Sequence, residues 1–203
     1  MTTFADGGKS LVGFVRQLTL ADLGPLESLL RSDPVSNCFL DARVRGAGLD
    51  PWRLGGDIWG YLDGDALHSV AYVGANLVPV ATTPASRAAL ADRLRMSPRR
   101  CSSFVGDREE VLDLWRLLEP AWGPAREVRD DQRLLVMDTD ANIPHDPHVR
   151  MATHADMDVL LPACVDMFTE EVGISPVRGG AGSAYRDRVA EIVRAGRSFV
   201  RIV

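Results

Sequence analysis

Apolar and polar residues alternate loosely from Val12 to Leu18, the period of a half-buried strand. Thr19 follows, with Asp22 three residues on, the capping-box spacing that satisfies free amides at a helix start. Leu23, Leu26, Leu29 and Leu30 then recur at helical spacing, and Pro25 is tolerated because it lies in or near the first turn. Asp33-Pro34, an N-cap with an N1 proline, predicts a second helix that stops near Gly46. DIWGYLDGDALHSVAYVG is two β-rich runs around Asp63-Gly64, a dipeptide suited to a tight hairpin. ANLVPVAT gives another strand, Thr83-Pro84 opens a helix with Leu90 and Leu94, and CSSFVG is a short strand. Asp107 and Glu110 box the next helix, which puts Val111, Leu114, Trp115 and Leu118 on one side and is stopped by Pro120. REVRDDQRLLVMD predicts two β runs around Asp130-Asp131. The order is β, α, α, β, β, β, α, β, α, β, β.

After the polar, proline-broken TDANIPHDPH the pattern restarts. A short strand reaches Met151, and a helix from Thr153 carries Val159, Leu160, Ala163 and Met167. A Gly/Ser/Pro loop, a helix from about Ser183 to Arg194 and the strand SFVRIV follow. The two openings match residue by residue. In VRQLTLADLGPLESLL and VRMATHADMDVLLPAC the pairs Val15/Val149, Arg16/Arg150, Thr19/Thr153, Ala21/Ala155 and Asp22/Asp156 are identical, and Leu26/Leu160 follows. The expected organisation is a domain over residues 1–140, a linker over 141–148, and the first part of a second copy over 149–203. That copy holds fewer than half the elements of the first, so the chain is expected to be a piece of a longer protein.

Composition narrows the classes. With 46% hydrophobic and 25% charged residues the chain is an ordinary globular protein, long enough at 203 residues to bury a core. Lys+Arg 23 against Asp+Glu 28 leaves −5, which gives no global basic field for nucleic acid. Lys9 is the single lysine, a bias that suggests a GC-rich bacterial source. No N-terminal signal pattern or membrane-length apolar run is present, so a cytoplasmic protein with no membrane partner is expected. Cys38, Cys101 and Cys164 lie far apart among apolar neighbours, without zinc-ligand spacing, and read as reduced, buried thiols.

The element order, two helices between the first two strands and then a hairpin, resembles the GNAT fold, and its repetition resembles a tandem GNAT. The phrases LDPWRLGGDIWGY, GANLVPV, RRCSSFVG, LWRLLEPAWGPAREVR and LLPACVDMFTEEVGISP are similar to a family of actinobacterial proteins in which an uncharacterised, DUF4081-like N-terminal domain precedes a GNAT domain. The resemblance implies an α/β fold, a mixed central sheet flanked by helices. It implies N-acyl transfer from acetyl-CoA to a small-molecule or peptide amine, with chemistry in the second domain, no metal, and a monomer or homodimer. The chain by itself is then expected to be inactive.

GNAT proteins hold the coenzyme pyrophosphate on a loop (Gln/Arg)-x-x-Gly-x-(Gly/Ala), whose backbone amides open a helix. The matching stretch here, VATTPASRAAL, has no glycine, and Pro84 has no amide to donate. An ordinary Thr-Pro helix cap is the favoured reading of this stretch; the alternative is that helix-start amides, the Ser86 hydroxyl and Arg87 hold one phosphate. The strand before it would pair with the pantetheine arm through backbone groups of Leu77, Val78 and Val80. In the second copy Glu170 and Glu171 would bind the acceptor amine or take its proton, with Phe168 and Ser175 lining the acceptor pocket; solvated glutamates at a helix end are the alternative. Arg93, Arg95, Arg99 and Arg100 either meet coenzyme phosphates or complement a helix dipole. His145 and His148 beside Asp146 lack a rigid element to hold a metal, and His68 and His154 read as structural. Trp52, Trp59, Tyr61 and Tyr72 around the hairpin are expected mostly to pack. No spacing for covalent catalysis is present. From another class, the first domain reads as a non-catalytic module that senses a ligand or docks a partner.

Overall fold

The hairpin around Asp63 organises the first unit. In a computed structural model describing residues 13–180 and 182–202, β2 (Gly56–Asp63) and β3 (Ala66–Gly74) pair antiparallel from Gly56↔Gly74 to Asp63↔Ala66. The two turn residues are therefore Gly64 and Asp65, one position beyond the expected centre. Gly64 has φ 56°, the positive value that primed hairpin turns need at the first central residue. A Cβ there brings backbone strain, so Gly64→Ala is expected to cost about 1 kcal/mol, read from the midpoint of a urea unfolding curve. The register slips between Tyr61 and Leu62, which leaves the exposed His68 as the extra residue of a bulge.

β1 (Phe14–Gln17) and β4 (Asn76–Val80) add antiparallel on either side, and β5 (Ser103–Phe104) joins β4 in parallel, giving the order β1-β2-β3-β4-β5. A parallel neighbour requires a crossover, supplied by α4 (Pro84–Arg95). On one face Ile58, Leu62, Val70, Tyr72, Val78 and Val80 pack against Leu26 and Leu30 of α1 (Leu23–Arg31) and Leu40 and Val44 of α2 (Cys38–Ala47). On the other, Ala71, Val73 and Leu77 meet Leu90, Ala91 and Leu94 of α4 and Leu114 and Leu118 of α5 (Arg108–Trp122). Helices on both faces explain why β3 and β4 are continuous apolar runs rather than alternating ones. The fold is mixed α/β, a five-stranded sheet flanked by helices, consistent with the GNAT-like order expected.

Four expectations differ. The second helix starts at Cys38, because Asp33 Oδ1 accepts the Ser36 amide (3.0 Å) in a turn instead of opening the helix. A short helix, α3 (Pro51–Leu54), follows; Asp50 caps it through the Trp52 and Arg53 amides and Gly55 closes it. Pro120 does not stop α5. It sits in the last turn, where one bond to the Arg116 carbonyl is forgone, and Gly123 at φ 82° ends the helix. The two β runs after Arg126 are absent: residues 124–149 hold no helix or strand, and Leu134, Leu135, Val136 and Met137 are all exposed. Strand propensity without a partner to pair with does not make a strand.

The chain divides into two compact units, Met1–Val136 and Met137–Val203. In the second, β6 (Arg150–Met151) leads through a 3-10 turn (His154–Asp156) into α6 (Met157–Val172). A second turn (Arg178–Gly180), α7 (Gly182–Arg194) and β7 (Phe199–Val200) complete it. β6 and β7 pair antiparallel, and Ala152, Met157, Val189 and Val193 form the core.

The sequence repeat is a physical motif. Arg16 forks onto Asp22 at 2.8 and 2.6 Å, and Arg150 onto Asp156 at 2.8 and 2.7 Å. In each copy the aspartate also accepts the threonine amide at 2.8 Å. The two capping boxes fix the 3-10 turns Leu20–Asp22 and His154–Asp156. The strand that follows the helices returns in the same register: the Leu18 amide donates to the Ile58 carbonyl and the Ala152 amide to the Ser198 carbonyl, both at 2.8 Å. Among the described residues no helix is long and apolar enough to cross a membrane.

Candidate functional site

The junction of β4 and α4 is where the resemblance to GNAT proteins would put coenzyme phosphates. β4 ends at Val80, and Ala81 bends the chain with φ 55°, a left-handed conformation unusual for a residue with a Cβ. Its carbonyl accepts the Ser69 hydroxyl at 2.8 Å. Thr83 then caps α4: its Oγ1 accepts the Ser86 amide (3.2 Å) while Ser86 Oγ accepts the Thr83 amide (2.8 Å). Two amides that would face a phosphate are thus bound within the cap. Ser86 is fully buried and lies 3.0 Å from Ser69 Oγ.

Arg87 points inward and is 2% exposed. Its Nε donates to Asp113 Oδ2 (2.6 Å), one terminal nitrogen to Glu109 Oε1 (3.1 Å), and the other to the Thr82 carbonyl (3.1 Å). Glu110 completes the cluster. Instead of reaching back to its own helix start, it accepts the Thr82 amide at 2.9 Å. Its Oε2 is buried with no partner among the described residues, and burial pushes its pKa above the usual carboxylate range while the Thr82 bond opposes the shift. Three carboxylates around one guanidinium disfavour a pyrophosphate, and Arg87 would have to abandon Asp113 to meet one. The residues present at this junction do not fit coenzyme phosphates.

The strand edge is equally committed. Leu77 accepts the Val105 amide (3.0 Å), so its backbone faces β5. Alternation then turns Val78 and Val80 toward β3, opposite Tyr72 and Val70, and turns Pro79, which has no N–H, toward the outer edge. The expectation that Val78 and Val80 offer backbone groups to a pantetheine arm is corrected by this register. Their side chains, with that of Leu77, belong to the core.

In the second unit Glu170 and Glu171 sit exposed in the last turn of α6, which Gly173 ends at φ 74°. Among the described residues neither side chain takes part in a hydrogen bond or ion pair. Phe168 turns back into the unit and meets Tyr185 edge-on, ring centroids 5.8 Å apart. Tyr185 in turn donates to the Cys164 carbonyl at 3.0 Å. Ser175 lies half-buried in the following loop, its carbonyl accepting the Arg178 amide at 3.2 Å. The four acceptor-site candidates share a helix end and the loop after it, with only Phe168 fixed by packing.

Compared with known families, residues 56–160 match a domain of unknown function, DUF4081. The chain belongs to the DUF4081 family. No curated protein and no solved structure matches it. The DUF4081 match runs from the hairpin through α5 into the first residues of α6, so it contains the Arg87 cluster but not Glu170 or Glu171.

The remaining candidates in this DUF4081 protein divide by their neighbours. Asp146 holds His148 Nδ1 (3.1 Å) on one oxygen and Arg201 (2.7 Å) on the other, and the His148 amide beside it helps hold its carboxyl below the usual range. Among the described residues no three His, Cys, Asp or Glu side chains are placed to share a metal ion. Cys38 is exposed, contrary to the expectation of three buried thiols; burial pushes the Cys101 thiol up. Trp52 is 95% exposed on α3, whereas Tyr72 is buried and donates to the Leu54 and Gly55 carbonyls. Of the arginine cluster, Arg95 pairs with Asp92 on its own helix and Arg100 with Asp57. Residues that reading along the chain missed, Thr82, Glu109 and Asp113, matter only because α5 packs on α4. A lone arginine in the first turn of α4, four residues after its N-cap, was the available signal.

Proposed function

We propose that this DUF4081 chain serves N-acyl transfer from acetyl-CoA to an amine, with chemistry in the GNAT unit that residues 149–202 open and with the first unit as a GNAT-like module that does not hold the coenzyme. The observation that carries the reading is the repeated opening: the same Arg–Asp fork, capping box and antiparallel return strand, with helices between, occur in both units. A duplicated opening supports a duplicated fold, and the Arg87 cluster argues against a pyrophosphate in the first copy. Glu170 and Glu171, unpaired at the end of α6, are the carboxylates offered to an acceptor ammonium, beside Phe168 and Ser175.

The test is calorimetric titration of acetyl-CoA into the 203-residue chain and into the full product of its gene, with release of free CoA followed on a panel of small amines and peptides. The expected result is no binding by the 203-residue chain and one site with turnover in the full product. One-site binding by the 203-residue chain would move the coenzyme to the first unit. A gene product that ends at Val203, or neither binds nor turns over, would sink the acyltransferase reading. A non-catalytic module that senses a ligand or docks a partner is then the reading left, favoured by the closed Arg87 cluster.

A further inference from the structure

At the opposite end of α4 from the Arg87 cluster, a cleft of about 60 Å3 opens between β2, the end of α4 and the end of α5. Its polar and aromatic lining is Asp57, Trp59, Arg93, Ser97, Arg100 and Trp122, beside the apolar Val73, Leu94 and Pro98. Arg93 sits over the Trp59 indole, its guanidinium carbon 4.0 Å from the ring centroid. Trp122, the last residue of α5, is held by an edge-on contact with Phe104 at 6.1 Å.

The charges in this cleft do not cancel. Both oxygens of Asp57 are taken, one by Gln17 Nε2 at 2.8 Å and the other by Arg100 at 2.9 Å. Arg93 has no carboxylate partner among the described residues; its one hydrogen bond is to Ser97 Oγ at 3.5 Å, the weak limit of such contacts. A guanidinium stacked on an indole leaves its in-plane N–H edge open, and that edge matches a planar two-oxygen acceptor. The Trp122 Nε1 is buried and also has no acceptor among the described residues. That atom is closed to solvent, so Trp122 lines the cleft with its ring and not with its N–H.

From these observations we infer that the cleft binds a small planar oxyanion, the carboxylate of a small molecule or a free ion of the same shape. Arg93 supplies the charge and the forked donors, and Trp122, in the wall of the cleft, reports the bound ion. The size agrees: the cleft has room for about two waters, each occupying roughly 30 Å3, or for one carboxylate group in their place. Nothing in this inference depends on acyl transfer, since the cleft lies in the first unit and away from the β4–α4 junction.

The four tryptophans give a direct reading, because each indole N–H contributes one signal to a nitrogen–proton correlation spectrum of the chain. Sodium acetate and sodium bicarbonate are titrated separately at constant ionic strength, with sodium chloride as the control, and Trp122→Phe identifies the Trp122 signal. The expected result is a saturating shift of the Trp122 signal, with none at the exposed Trp52. Arg93→Gln should weaken the midpoint about tenfold, the scale of one charge-assisted hydrogen bond. Arg99→Gln, beside the cleft but not lining it, should leave the midpoint unchanged. Saturation by acetate supports a carboxylate-bearing ligand, and saturation by bicarbonate alone supports a free ion. A linear drift, an equal response to chloride, or a midpoint unmoved in Arg93→Gln with the other signals in place overturns the proposal.

Discussion

Arg87→Met lowers the stability of the first unit by about 3 kcal/mol at neutral pH, the scale of breaking a buried ion pair from one side. Methionine replaces the arginine stem but not its donors, so Asp113 and the Thr82 carbonyl lose their partner together. Glu109 contributes little to this loss, because its side chain is 79% exposed and water takes over from the guanidinium. Asp113, at 29%, carries most of it. Glu110 makes the variant sensitive to pH. Its pKa already stands above the usual carboxylate range, and removing the nearby cation raises it further. A carboxyl raised in the folded state makes its full contribution below its unfolded value near 4, and that contribution is lost as pH rises through its folded pKa. Lowering the pH toward 5 should therefore return part of what Arg87→Met loses, and pairing it with Asp113→Leu should return more. Urea unfolding at the two pH values, with and without the second substitution, measures both.

Asp22→Asn gives the second largest effect, a loss of about 1.5 kcal/mol at pH 7, in the range of a helix cap. Asparagine keeps the shape, but it cannot accept both donors of the Arg16 fork while also accepting the Thr19 amide. The Arg16 fork holds the Asp22 carboxyl well below its ordinary range, helped by the Thr19 bonds and opposed by burial; Arg150 and the Thr153 amide do the same for Asp156. The sign follows from a lowered carboxylate pKa. Its contribution is complete above the unfolded value near 4 and is lost as pH falls toward the folded value. The wild-type chain should therefore lose stability steeply between about pH 5 and pH 2, and Asp22→Asn should flatten that limb. Asp156→Asn should flatten it in the same direction. Unfolding free energies across that range decide the point, and parallel curves for wild type and both variants would show that the forks contribute nothing.

How much of this was legible in the sequence depends on the distance between partners. The capping boxes at Thr19 and Thr153, the hairpin near Asp63 and the α4 cap at Thr83 are local, and each formed where the residue pattern put it, the hairpin turn one residue later. The short α3 was hidden because four residues carry no helical period. LLVM at 134–137 was read as a strand from its β-prone residues, yet a strand exists only with a neighbour, which propensity does not encode. Arg87 stood as a candidate phosphate ligand beside the favoured helix-cap reading because it lies near a helix start, while its partners come 22 and 26 residues later on another helix. Arg93 and Trp59 each drew notice, but only the packing of α4 on β2 stacks one on the other.

The two kinds of ion pair also differ in how they can be inherited. The fork of Arg16 on Asp22 closes within six positions, so any copying event that includes that stretch transmits it whole, and Arg150 with Asp156 repeats its geometry. The Arg87 lock has its halves on separate helices and survives only where both are retained together. Descent in this family should therefore leave the fork in units of widely differing content, and should keep Arg87 and Asp113 or lose them as a pair.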